Sequence, residues 1–220
     1  MEIFIDTANL EAINKAVDQG IVNGCTTNPI IVAKENSHFE TRMKDILKIV
    51  PGPVSIEVTT NDPDGMIKEA EHYAKWGDNV VIKIPMGSDG LRVVKILTEK
   101  GIKTNVTACM NMQQAVLAAK AGATYVSLFW GRIEDMGYDA QRVTNDTVNA
   151  FKQHNIESKI IVGSLRQLSH VNRAILSGAH VLTIPPDILN KMPLHPRTES
   201  TIREFLDSWE EFKRVQPLKK

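Results

Sequence analysis

Short apolar, β-branched runs recur along the chain. Each is followed by a polar stretch with apolar residues every three or four positions. The runs fall at residues 2–6, 21–25, 54–58, 80–84, 103–107, 124–129, 159–163 and 181–184, and predict eight strands. Residues 9–18 follow Asp6 and Thr7, either of which would cap a helix. Residues 63–76 carry Met66, Ile67, Ala70, Tyr73 and Ala74 at helical spacing. Residues 88–100 carry Leu91, Val94, Ile96 and Leu97, with Gly101 as the stop. Residues 112–121 are alanine-rich and end at Gly122, and residues 166–176 end before Gly178. A last helix at about residues 198–214 sets Ile202, Phe205, Leu206, Trp209 and Phe212 on one stripe.

Strands alternating with helices form βαβ units on a parallel sheet. Eight such units in 220 residues fit a single α/β domain over residues 1–220, a closed (β/α)8 TIM barrel with an additional C-terminal helix. The rival is an open doubly wound sheet, which usually needs fewer strands and binds its ligand at one switch point. Polar residues stand at the C-terminal ends of many different strands here, which favours the barrel, where those ends share one mouth.

Composition narrows the function. The chain is 42% hydrophobic and 24% charged, enough for a full core. Lys plus Arg and Asp plus Glu each total 26, so nothing favours nucleic acid or an anionic membrane as a partner. No apolar run approaches a membrane span, and the opening Met-Glu-Ile-Phe-Ile-Asp is unlike a secretion signal, so a cytoplasmic protein is expected. Cys25 and Cys109 are expected as small buried apolar residues. The six histidines show no metal-ligand spacing, and GxGxxG, GxxxxGK[ST], HExxH and GxSxG are all absent.

The strand ends hold the candidate chemistry. Lys83 interrupts Val-Val-Ile-Lys-Ile-Pro. It is either a lysine snorkelling at a strand edge or an amine whose charge burial disfavours, fit to attack a carbonyl carbon. Asn105 and Thr107 share a face of their strand, as a filler pair or as site residues. Asp6 is a helix cap or, with Glu57, half of a proton-transfer pair; Glu57 alternatively forms a buried ion pair with Lys83. Arg132, Ser164 and Arg166 follow strands 6 and 7, as surface residues or as a phosphate clamp.

Phe4-Ile5-Asp6-Thr7-Ala8, Thr26-Thr27-Asn28-Pro29, Val81-Ile82-Lys83-Ile84-Pro85, Thr104-Asn105-Val106-Thr107 and Gly131-Arg132 together resemble the small transaldolase and fructose-6-phosphate aldolase family. Order and spacing match over nearly the whole chain. The resemblance implies a class I aldolase-type barrel without metal or organic cofactor, acting on sugar phosphates. It implies that Lys83 forms a Schiff base with a ketose phosphate and that Asp6 accepts the C4 hydroxyl proton. Glu57 with Thr107 would hold a proton-shuttling water. Asn28 and Asn105 would bind hydroxyls of the retained three-carbon unit, Ser127 would assist near the imine, Thr26 and Phe129 would complete the substrate-binding set, and Arg132, Ser164 and Arg166 would grip the sugar phosphate. Within the family, Glu57, Asn105 and Phe129 match the transaldolase branch. That branch, in the pentose phosphate pathway, moves a dihydroxyacetone unit from sedoheptulose 7-phosphate to glyceraldehyde 3-phosphate. The alternatives are a fructose-6-phosphate aldolase and a sugar-phosphate-binding barrel without turnover.

The chain departs from the family pattern at Ala108-Cys109-Met110-Asn111-Met112, at Leu128 and Trp130 beside Phe129, and before Ser164. These changes touch the acceptor pocket and leave the charged roles in place. The C-terminal stripe either packs on its own barrel or, as in the family, contributes to subunit contacts in a homo-oligomer, a pentamer or decamer.

Overall fold

The structure, a computed structural model, describes residues 1–215. Eight parallel strands, β1 (Glu2–Asp6), β2 (Gly24–Thr26), β3 (Val54–Glu57), β4 (Val80–Pro85), β5 (Thr104–Cys109), β6 (Tyr125–Phe129), β7 (Lys159–Gly163) and β8 (Val181–Ile184), pair in sequence order. β8 returns to β1, so the barrel is closed. The crossovers carry α1 (Leu10–Asp18), α2 (Pro29–Ala33), α3 (Phe39–Ile49), α4 (Pro63–Tyr73), α5 (Ser88–Glu99), α6 (Met112–Lys120), α7 (Trp130–Asp135), α8 (Ala140–Gln153) and α9 (Leu168–Leu176). Two helices follow β8: α10 (Pro186–Leu189) and the additional C-terminal helix α11 (Pro196–Val215).

Several local details differ from the sequence reading, each for a physical reason. β2 starts three residues later than expected. The Asn23 side-chain oxygen accepts the Ile3 N–H at 3.0 Å in place of a backbone carbonyl, and Ile21 is exposed. The cap of α1 is Asn9, whose side chain accepts the Ala12 N–H at 3.0 Å; Asp6 and Thr7 do not cap it. Helix α8 escapes an apolar pattern because two of its four buried positions are threonines. Thr144 and Thr147 bury their methyl groups and donate their hydroxyls to the carbonyls of Ala140 and Val143, at 2.8 and 2.7 Å.

The C-terminal helix does not pack its stripe on its own barrel. No residue of α11 is buried, and Phe205 and Leu206 are 69% and 60% exposed. Trp209 and Phe212 stack on each other with ring centroids 5.4 Å apart. Among the described residues no helix is long and apolar enough to cross a membrane.

Strand alternation builds the barrel interior in layers. Outward residues such as Ile5, Ile56, Ile82, Val106 and Val162 pack under the helices in the main core. Inward residues Phe4, Val81, Tyr125, Ile161 and Val181 form a separate apolar plug, with Phe4 and Tyr125 meeting edge to face at 6.1 Å. Two residues further along the same five strands stand Asp6, Lys83, Ser127, Gly163 and Thr183. The plug is thus the floor on which a polar layer rests.

Candidate active site

The polar layer opens toward the C-terminal strand ends as a cavity of about 450 Å³. Asp6, Thr26, Glu57 and Lys83 line its base, with Thr107, Ser127 and Phe129 beside them. Asn28, Arg132 and Ser164 stand toward its rim. Asn105 and Arg166 of the sequence candidates do not line it.

Lys83 is 5% exposed, so it does not snorkel at a strand edge. The β4 ladder places it between Glu57 on β3 and Asn105 on β5. Its ammonium lies 2.9 Å from Glu57 Oε2 and donates to the Thr27 carbonyl at 3.1 Å. The Phe129 ring centroid is 5.9 Å away, an apolar wall on one side of the amine.

Asp6 accepts a hydrogen bond from Thr26 Oγ1 at 2.7 Å. Burial raises its pKa above the usual aspartate range; the Lys83 charge and the Thr26 hydrogen bond pull the other way, and the Glu57 charge adds to the rise. A carboxylate so placed is poised to accept a proton and to return it. Cys25 and Cys109 are buried free thiols, and burial pushes both upward.

Asn105 is fully buried under Ser127. It accepts the Ser127 hydroxyl at 2.7 Å and donates to Ser55 Oγ at 3.1 Å. Both ends of its amide are therefore occupied, and it orients Ser127 rather than reaching the cavity. Asn28 is committed by half: its oxygen caps α2 by accepting the Ile31 N–H at 2.9 Å, which leaves the amide NH2. Thr107 Oγ1 is buried with no hydrogen-bond partner, a site for a substrate oxygen or a water.

Backbone irregularity shapes the rim. Ala108, φ 59°, sits where the β5–β6 register shifts between Val106 and Cys109, and Ser164, φ 58°, directly follows β7. Both non-glycine residues occupy the left-handed region and both line the cavity, a concentration of strain typical of functional sites.

The arginines divide. Arg132 lines the cavity with its side chain 63% exposed. Arg166 makes a two-pronged pair with Asp135, both contacts 2.7 Å, and packs over Gly131, where an added Cβ would lie 2.5 Å from its Nε. The sequence reading missed Asp135, Ser55 and Thr183. The last two are single strand hydroxyls, Thr183 in an otherwise apolar β8 and Ser55 two residues before Glu57 on β3, and only their inward register marks them. Among the described residues, no group of three or more His, Cys, Asp or Glu side chains could hold a metal ion.

The Transaldolase/Fructose-6-phosphate aldolase family profile matches residues 3–217. The chain belongs to that family. By membership it is an aldolase-type enzyme. A probable transaldolase of Anaeromyxobacter sp. (strain Fw109-5) is 46% identical over 210 residues, covering 96% of this chain and 98% of its own. One from Geobacillus sp. (strain WCH70) is 48% identical, covering 95% and 98%. One from Petrotoga mobilis is 48% identical, covering 96% of each. The family is thus matched along almost the whole barrel, and the closed fold and the five sequence motifs agree with it.

Proposed function

We propose that the protein is a transaldolase that moves a dihydroxyacetone unit from a ketose phosphate to an aldose phosphate through a Schiff base on Lys83. One observation carries the reading: an amine on the floor of the cavity, 2.9 Å from one carboxylate and in the field of a second.

Glu57 takes a proton from the Lys83 ammonium, and the freed amine attacks the ketose C2 carbonyl. Glu57, with a water held by Thr107, returns protons so that the carbinolamine loses water and a protonated imine remains. Asp6 then removes the C4 hydroxyl proton. The C3–C4 bond breaks, its electron pair flows to the imine as an enamine, and the first aldose phosphate leaves.

This step is coupled electrostatically. The positive charge that holds Asp6 ionised vanishes when the imine becomes a neutral enamine, so Asp6 keeps its proton until a second aldehyde arrives. The enamine carbon attacks that aldehyde, Asp6 protonates the new alkoxide, and water hydrolyses the imine. Asn105 acts through Ser127, and the Asn28 amide donates to a hydroxyl of the bound unit. Arg132 and Ser164 hold the phosphate at the rim, and Arg166 joins by exchanging one Asp135 contact for it.

Phenylalanine at position 129 supports transfer over simple cleavage, because its ring offers no hydroxyl to protonate and release the enamine. The test supplies fructose 6-phosphate with and without erythrose 4-phosphate. Turnover only with the acceptor supports transaldolase, and equal turnover without it supports fructose-6-phosphate aldolase. Binding without turnover in either mixture would leave only a sugar-phosphate-binding barrel.

The same proposal includes assembly through α11. Its unpartnered stripe fits a second copy of this chain, in the pentamer or decamer the family resemblance implies.

A further inference from the structure

We propose that Thr183 is a positioning residue for the reaction, orienting the Thr26 hydroxyl so that its single proton points at Asp6. The inference deepens the proposed function, since it rests on Asp6 as the proton acceptor.

Three adjacent strands set up the row. Asp6 on β1 pairs with Thr26 on β2, and on the other side β1 pairs with β8, where Thr183 lies opposite Phe4. Thr26 Oγ1 is 2.7 Å from Asp6 Oδ1 and 2.5 Å from Thr183 Oγ1. A hydroxyl has one proton to give, and an ionised carboxylate can only accept. The Thr26 proton therefore goes to Asp6, and Thr183 must donate to Thr26. Thr183 is buried and borders the cavity. As a β-branched residue it has few rotamers, and the glycine at 163 leaves room for its methyl, since an added Cβ there would lie 3.2 Å from Thr183 Cγ2. With the methyl in that space, the hydroxyl faces Thr26.

The row is reversible. Once Asp6 takes the substrate proton, it can donate to Thr26 and Thr26 to Thr183 by rotation of hydroxyl hydrogens alone. Both protonation states of Asp6 then keep a partner through the catalytic cycle. The other ionisable groups facing Asp6 are Lys83 on β4 and Glu57 on β3, with the Cys25 thiol on β2 beside it. None of these changes in a Thr183 variant.

The test is the pH dependence of kcat/KM for wild type, Thr183→Val and Thr183→Ser, with borohydride trapping of Lys83 in each. Valine keeps the shape and removes the donor, so Thr26 becomes a poorer donor to the Asp6 carboxylate. The acid limb of Thr183→Val is expected to move up by about half to one pH unit, the scale of one weakened hydrogen bond. Trapping should persist and KM should stay within about threefold of wild type. Thr183→Ser should return the limb toward wild type. Superimposable acid limbs for Thr183→Val and wild type, a serine shift as large as the valine shift, or a rate loss equal at every pH would overturn the proposal. If the valine variant does not fold, Thr183→Ala is judged by the same outcomes. Absence of trapping in the wild type would instead refute the Lys83 mechanism.

Discussion

Asp6 should cost the protein stability at neutral pH, and Asp6→Asn should recover it. Burial outweighs the Lys83 charge and the Thr26 hydrogen bond, so the folded-state pKa lies above the unfolded value of about 3.9. The folded state then holds a proton that the unfolded chain releases. Where the native state binds more protons, stability falls as pH rises. The Asp6 contribution therefore declines from about pH 4 through the folded pKa, and stays reduced above it. Each unit of elevation withholds about 1.4 kcal/mol. Asparagine keeps the shape and can still accept from Thr26 while removing the buried charge. Urea denaturation of both proteins at several pH values between about 4 and 7 isolates this effect, because carboxylates lowered by ion pairs, such as Asp135, titrate alike in both. The variant should be more stable than wild type at pH 7, with the gap closing toward pH 4. Its turnover should fall about 10²- to 10⁴-fold, as expected for loss of a general base. An Asp6→Asn protein that is less stable than wild type at pH 7, with the gap shrinking on acidification, would refute the reasoning.

Three further variants probe the rim, the phenyl wall and the C-terminal helix. Gly131→Ala places a methyl against the Arg166 guanidinium and the Ser164 carbonyl, the latter at 2.7 Å. It should cost about 1–3 kcal/mol in denaturation and raise KM for sugar phosphates more than it lowers kcat; an unchanged KM would contradict the rim assignment. Phe129→Tyr puts a phenol beside Lys83 and should raise cleavage of fructose 6-phosphate in the absence of acceptor, measured by release of dihydroxyacetone. No gain there would remove the phenyl wall from the specificity argument. Leu206→Glu with Trp209→Glu charges the exposed face of α11 and should reduce the assembly size in sedimentation while leaving the circular dichroism of the barrel intact. An unchanged sedimentation coefficient would place the subunit contacts elsewhere.

The strands were legible because each apolar run is short, β-branched and followed by a helical period, and the barrel follows from their number and the polar residues at their ends. Helix α8 was not legible, since threonine reads as polar although Thr144 and Thr147 bury their methyls. Lys83 and Glu57 stood out because a charge in an apolar strand demands a reason, and the β3–β4 register sets them side by side. Thr183 and Ser55 did not, because a hydroxyl is ordinary strand filler until register shows which way it faces. The pairing of Arg166 with Asp135 joins residues 31 apart in sequence, and no local pattern announces it. The same holds for Asn105, whose recess beneath Ser127 depends on three strands meeting.

The most direct test of the central claim is reduction with borohydride in the presence of fructose 6-phosphate, followed by peptide mass mapping. A stable adduct is expected on the peptide containing Lys83, with the mass of the reduced dihydroxyacetone unit or of the whole ketose phosphate, and none in Lys83→Met. Full turnover with no adduct on Lys83, or normal activity in Lys83→Met, would contradict it.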